Sequence, residues 1–450
     1  MPPKRIIKSH LFEANIYIYF EKLLFVSLAS YVRSLGPCGV LLLQECQTRS
    51  WKKSHKYECK IFAKLYPNVL PNTVRMVMQL LLRRKAQSIP DPEWQAFLDL
   101  QSHVDGLRSS PVKNEDGLTA WHTIELMSRA ASSYSSSTEA ITFVQTLTAR
   151  VLINAHTLTT PSLDPLGLCL SPRSALLNHS CAPNTAIIFS GPTLTLRSLA
   201  AIPARSELSI SYVDVTNSTS ARQSELRGRY FFHCSCSPCR TGITNGLPDP
   251  VPDPHFDAIE AQAVQLRGEA STLPPDRAAA SLKKALGLLG RYPIHRQPNP
   301  SILHTAFLNA IATRSWAVAL GYALKAYFFI DPLHHRLSWH PVRVVRKWVL
   351  LRLVTQIAGL VSEEDGSVKG LERFGIDWQI VAMGLFREVS DGLPHSHGSS
   401  SPLTAEARAF GEGAGMGNGK REAGCFEVEW AKLRKVADDQ GAKVREEDRE

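Results

Sequence analysis

The basic N-terminus, MPPKRIIKSH, is not followed by an apolar run long enough to cross a bilayer. The stretch after it, IYIYFEKLLFVSLASYV, is broken by Glu21 and Lys22. Its uninterrupted part, Leu23 to Val32, is far shorter than the ~20 residues a spanning helix needs. A membrane anchor is therefore not expected. Charge is sparse as well. Asp, Glu, Lys and Arg make up only 20% of the 450 residues, and the net charge of +10 is spread thinly. Nucleic-acid binding needs a clustered basic stripe, and LRRKAQ and VRVVRKW are too short and too far apart to form one. No specific nucleic-acid site is expected.

A complete set of intramolecular disulfides is excluded too, because the nine cysteines are an odd number. Five of them lie in two tight groups, Cys46 with Cys59, and Cys234 with Cys236 and Cys239; His55 stands beside the first. Such groups read as metal sites in a reducing compartment, nucleus or cytoplasm, better than as a disulfide framework. The sequons at Asn178 and Asn217 are then chance matches. Apolar residues make up 44%, and the length suffices for two or three domains with proper cores.

What is present falls into three parts. Residues 63 to 160 are mainly helical by spacing, as in NTVRMVMQLLLRRKAQ and EWQAFLDLQSHV. SSYSSSTEA reads as a loop, with Thr138 as the cap of the helix AITFVQTLTARVLINAHTL. From residue 175 the period changes to two: NTAIIF, the turn SGP and TLTLRSLAAI make a hairpin, and SELSISYVDV makes another strand. GLPDPVPDPHFD is a linker. Helical periodicity returns beyond it in successive amphipathic segments, which suggests an array of α-hairpins, tetratricopeptide-like. Residues 394 to 421 are rich in Gly, Ser and His and read as flexible; CFEVEWAKLRKVADDQ reads as a final helix.

Two stretches carry chemistry. YFFHCSCSPC contains C-x-C-x2-C, three thiolates for three corners of a tetrahedral zinc site. The fourth ligand must come from upstream, and Cys169 and Cys181 are the candidates. The second stretch is ALLNHSCAPN, where two leucines run directly into Asn178, His179, Ser180 and Cys181.

NHSCAPN, ELSISYVD about thirty residues later, and then C-x-C-x2-C resemble, in order and spacing, the SET domain of protein lysine methyltransferases with its post-SET zinc motif. CQTRSWKKSHKYECKIF resembles the second half of a MYND zinc finger, carried here by Cys46, His55 and Cys59. The helical tail resembles the C-terminal domain of SET- and MYND-domain proteins. The resemblance covers about residues 46 to 390. It implies an α+β fold with a SET-domain β core, a helical insert and an all-α C-terminal domain. It also implies methyl transfer from S-adenosylmethionine to a lysine on a histone or other protein. Residue by residue, Asn178 and His179 would meet the methyl donor, Asn154 would border it, and Tyr230 and Phe232 would lie near donor and substrate. Tyr212 would sit at the methyl-transfer channel. Cys181 would complete the zinc site of Cys234, Cys236 and Cys239. The helical domain would offer a surface for protein partners. For Asn154 a capping or turn role fits nearly as well.

The domain plan that follows is an atypical N-terminal segment (1–45), a partial MYND finger (46–62), a helical linker and SET insert (63–150), the SET core (151–215) and the post-SET motif (216–242). A linker (243–258), the helical C-terminal domain (259–393) and a flexible tail with a terminal helix (394–450) complete it. Departures from the family pattern concentrate at the N-terminus. Family members begin with a strand and a G-x-G turn that packs on the donor, and the first 60 residues contain no G-x-G. Leu42 stands where a finger cysteine is expected, with only Cys38 nearby, and Ala175 and Ser206 replace a serine and a glycine common in the family. These departures support an alternative: a catalytically impaired scaffold that mediates protein–protein interactions.

Overall fold

A computed structural model describes residues 17–20, 24–27, 48, 51–113, 117–191, 193–251, 253–416 and 423–446. Two compact units divide the chain. One comprises the residues up to Val213 together with Ser220–Cys236; the other comprises Asp214–Thr219 and the residues from Ser237 onward.

In the first unit the helices Asn72–Lys85, Ala120–Ser135 and Ile141–Asn154 pack on one another. Met76, Val77, Leu80, Leu147 and Val151 are buried where they meet. The serine-rich stretch read as a loop begins as helix up to Ser135 and is non-helical from Ser136 to Ala140; the helical part holds because a serine there bonds within the helix. Ser135 Oγ donates to the Ala131 carbonyl at 2.7 Å, one turn back. Thr138 is not a cap; the next helix starts after Ala140 with no side-chain cap.

The strands are β1 (Tyr17–Phe20), β2 (Leu24–Ser27), β3 (His156–Thr159), β4 (Pro165–Leu170), β5 (Asn178–His179), β6 (Thr185–Ser190), β7 (Thr193–Ser198) and β8 (Ser209–Ile210). The expected hairpin is β6–β7, paired antiparallel from Thr185↔Ser198 to Ser190↔Thr193. Gly191 takes φ +53° at its turn, a left-handed conformation that glycine adopts without strain. Two three-stranded sheets form, in the orders β1-β7-β6 and β2-β4-β3. The N-terminal segment read as atypical of the family supplies a strand to each sheet, with Tyr17 opposite Arg197 and Leu24 opposite Leu170. Alternating β-branched and aromatic residues in IYIYF suit an antiparallel strand, and that signal outweighs the missing turn motif. Cys38 and Cys46 lie outside the described residues.

The second unit is a succession of helices, each packed on the next: Pro254–Thr272, Pro275–Leu288, Asn299–Ala312 and Trp316–Lys325, then Pro341–Ser362, Trp378–Ser396 and Pro402–Gly413. The helix Ala423–Glu446 follows. The stretch read as flexible instead carries the helix Pro402–Gly413. Ser401 caps it by accepting the Thr404 amide at 3.1 Å, and Pro402 opens it. Leu403, Ala407 and Gly411, spaced at i, i+4 and i+8, form its buried stripe. Gly411 is needed for close packing, since a Cβ there would lie 2.1 Å from the Phe386 ring. No helix among the described residues is long and apolar enough to cross a membrane.

Candidate functional site

Asn178 and His179 form β5, a two-residue strand paired in parallel with Ser209 and Ile210 of β8. The Ser180 amide extends the ladder by donating to the Ile210 carbonyl at 2.9 Å. A pairing this short needs side-chain support, and Asn184 provides it. Its Oδ1 accepts the Ser209 amide at 2.8 Å, and its Nδ2 donates to the Glu207 carbonyl at 2.8 Å, so one carboxamide imitates a further rung of sheet. Thr185 Oγ1 adds a bond to the Ser209 carbonyl at 2.8 Å. Glu207 also accepts the Asn178 side-chain amide at 2.6 Å, a charge-assisted bond that fixes the carboxamide's orientation.

Tyr212 lies just past β8. Its hydroxyl donates to the Leu177 carbonyl, and its backbone amide donates to His179 Nδ1 at 3.0 Å. Its ring centroid stands 5.3 Å from that of His179, 4.9 Å from Tyr230 and 6.5 Å from Phe232, the last edge-on at 89°. His179 and Phe232 are 6.0 Å apart. Four aromatic rings thus gather in one cluster. The turn that delivers two of them is unusual. Phe231 takes φ +58°, which directs its ring toward Gly106, where an added Cβ would meet it at 2.7 Å. Tyr230 and Phe232, on either side of it, are left for the aromatic group.

The electrostatics are those of buried, neutral rings. Burial, with the Arg222 charge as a second cause, lowers the His179 imidazole to about 4. Burial raises the Tyr212 phenol well above the ordinary tyrosine range, and neighbouring Tyr230 and Glu207 push it the same way. Tyr230 is raised by burial as well. At neutral pH these rings therefore carry no charge.

Next to His179 the sulfurs of Cys181, Cys234, Cys236 and Cys239 all lie within 4.8 Å of one another. A tetrahedral zinc with bonds of about 2.3 Å needs its sulfurs about 3.8 Å apart, so the group has the donor set and nearly the spacing for one metal. Among the described residues it is the one cluster of metal-ligating side chains this compact. The fourth member is Cys181 and not Cys169, which is fully buried in the core with Leu177, Phe189 and Leu196. Gln223 holds Cys234 from both sides: its Nε2 donates to the Cys234 carbonyl at 2.7 Å, and its Oε1 accepts the Cys234 amide at 3.0 Å.

Three further expected site residues, Asn154, His55 and Cys59, have surroundings of their own. Asn154, at the end of its helix, donates to the Gln101 carbonyl at 2.8 Å and the Arg150 carbonyl at 2.7 Å, the helix-end role left open by the sequence. His55 is buried against the rings of Trp51 (5.7 Å) and Phe62 (6.4 Å), one helical turn before half-buried Cys59. Sequence reasoning missed Asn184, Glu207, Arg222 and Gln223. The first two sit inside quoted motifs, and period-two strands bounded by polar residues could have pointed to them; Arg222 and Gln223 carry no local signal.

Part of the sequence is similar to known proteins. The SET domain family matches residues 39–213. The chain is 35% identical over 206 residues to SET domain and MYND-type zinc finger protein 6 of Schizosaccharomyces pombe, which covers 45% of this chain and 39% of that protein. It is 30% identical over 200 residues to the mouse histone-lysine N-methyltransferase SMYD3, covering 44% of this chain and 46% of the relative. Mouse N-lysine methyltransferase SMYD2 is 32% identical over 200 residues, 44% of this chain and 45% of the relative. The match spans less than half the length of each of these relatives.

Proposed function

We propose that this chain, which carries a SET domain and is similar to the SET- and MYND-domain lysine methyltransferases, transfers a methyl group from S-adenosylmethionine to the ε-amine of a lysine on a histone or other protein. The observation that carries this reading is the neutral aromatic cluster of His179, Tyr212, Tyr230 and Phe232, which gathers around the end of the Asn178–His179 strand. When bound, the donor supplies an electrophilic methyl on a sulfonium. The protein's tasks are then alignment, exclusion of water and tolerance of a cationic amine. Aromatic faces attract the methylated cation. The Tyr212 phenol, held in its neutral form, keeps its proton and offers a fixed dipole in place of a charge. The Glu207 bond presets the Asn178 carboxamide, so its free oxygen is oriented before the donor arrives. Zinc on Cys181, Cys234, Cys236 and Cys239 would supply a structural cross-link, tying the segment after Asn178–His179 to the chain just beyond Phe232.

Asn178→Ala should weaken S-adenosylmethionine binding about tenfold, the loss of one oriented polar contact. Isothermal calorimetry on the full chain measures it, and unchanged affinity would remove Asn178 from the donor site. A second reading follows from the missing G-x-G turn: a scaffold that no longer binds the donor. The same titration on the unaltered chain decides between the two. Heat of binding together with transfer of labelled methyl to histone or cell-extract protein favours the enzyme. Absence of both favours the scaffold.

A further inference from the structure

The Tyr212 backbone amide can only donate, so the His179 Nδ1 it reaches at 3.0 Å must be an unprotonated acceptor. The ring proton then sits on Nε2. That nitrogen lies 3.2 Å from Cys181 Sγ, which makes the contact an N–H donating to sulfur. The ring therefore has both nitrogens committed, one to the strand end that carries Tyr212 and one to a member of the four-thiol group.

We propose that His179 is a positioning residue with two separable duties: its Nε2–H holds the Cys181 sulfur as a metal ligand, and its Nδ1 fixes the backbone of Tyr212. The inference rests on the zinc and methyl-transfer reading above. Its physical basis is general. Ligand sulfurs and nitrogens are oriented by outer hydrogen bonds, whose loss costs about 10- to 100-fold in metal affinity. Donation of N–H to a thiolate draws charge from the sulfur and resists its protonation and departure. The arrangement also makes the ring a mechanical link. If Cys181 swings away, the imidazole loses one anchor and the Tyr212 amide loses its fixed acceptor.

Two variants divide the duties. The carboxamide of His179→Asn matches the Nδ1 position, so it can still accept the Tyr212 amide but cannot reach the sulfur. His179→Gln places its N–H near the Nε2 position, so it can reach the sulfur but leaves the amide unserved. Zinc release from the full chain into a chromogenic chelator should be about 10-fold or more faster in His179→Asn than in the parent. In His179→Gln it should stay within about threefold. Equal release from the parent and the Asn variant overturns the proposal, as does equal acceleration in both variants, which would mean a generic packing role. A measurement on the unaltered chain guards against misfolded variants. After exchange of zinc for cadmium-113, the His179 Nε2 proton should show a through-hydrogen-bond coupling to the metal. A ring proton on Nδ1, or no coupling, overturns the proposal. If the parent chain holds no metal at all, the zinc reading fails and this inference fails with it; a parent that holds zinc with unaltered release in the Asn variant defeats the inference alone.

Discussion

Cys236→Ser should take the metal content of the purified chain from one equivalent at the thiol group to near zero, and S-adenosylmethionine binding should fall with it. Serine is a poor zinc ligand at neutral pH, and three thiolates do not close a structural site. The four sulfurs within 4.8 Å of one another come from two segments, Cys181 on one and Cys234, Cys236 and Cys239 on the other, and a bound metal would tie the two together. Cys181→Ser should lose as much metal as Cys236→Ser. Cys169→Ser should lose none, because that side chain is fully buried in the strand core. Donor binding follows because Cys181 lies two residues after His179, and Cys234 lies two residues after Phe232, held by Gln223. Elemental analysis and calorimetry on the same preparations read both effects. Full metal content in Cys181→Ser would remove this cysteine from the ligand set.

Tyr212→Phe should lower turnover by about 10²- to 10³-fold, the scale of losing one preorganised hydroxyl dipole at a reacting centre. Donor affinity should stay within about threefold. The separation arises because the ring keeps its stacking with His179 and Tyr230, while only the hydroxyl bond to the Leu177 carbonyl disappears. The phenol also predicts a pH profile. Burial raises its pKa, so the neutral form persists above the ordinary tyrosine value of about 10, and no alkaline loss of turnover below that value should come from Tyr212. Single-turnover rates with saturating donor are the measurement. A phenylalanine variant with parental rates would exclude the hydroxyl from the chemistry.

The residues with the most constrained chemistry were readable from their own neighbourhoods. C-x-C-x2-C states its need for a fourth thiol, and NHSC places an amide, an imidazole and a thiol where an apolar strand ends. The choice between Cys169 and Cys181 was not contained in spacing. It required knowing that β4 turns Cys169 into the core while β5 carries Cys181 out to the thiol group. The supporting residues were hidden for a similar reason. Asn178 and Glu207 are 29 residues apart, and Asn184 and Ser209 are 25 apart; only the parallel β5–β8 pairing brings them together. Local composition misled twice where tertiary packing overrode it. Glycine and serine near residue 400 suggested flexibility, yet Ser401 is a cap and Gly411 is the flat face against which Phe386 packs. The N-terminal stretch lacked the expected turn motif and was set aside, although its alternating IYIYF already had the pattern of a strand.

That N-terminal pairing also determines which strands are edges. β7 and β4 are central strands only because β1 and β2 lie beside them. Without residues 17–27, each would present a row of unpaired amides and carbonyls, along TLTLRS in one sheet and the apolar PLGLCL in the other. Exposed edges of this kind invite pairing with other chains, and here two would be bared by a single truncation. The cost of shortening the chain would thus appear first as self-association, before any change in chemistry could be measured. Whatever else β1 and β2 contribute, they keep two sheets from becoming templates for aggregation.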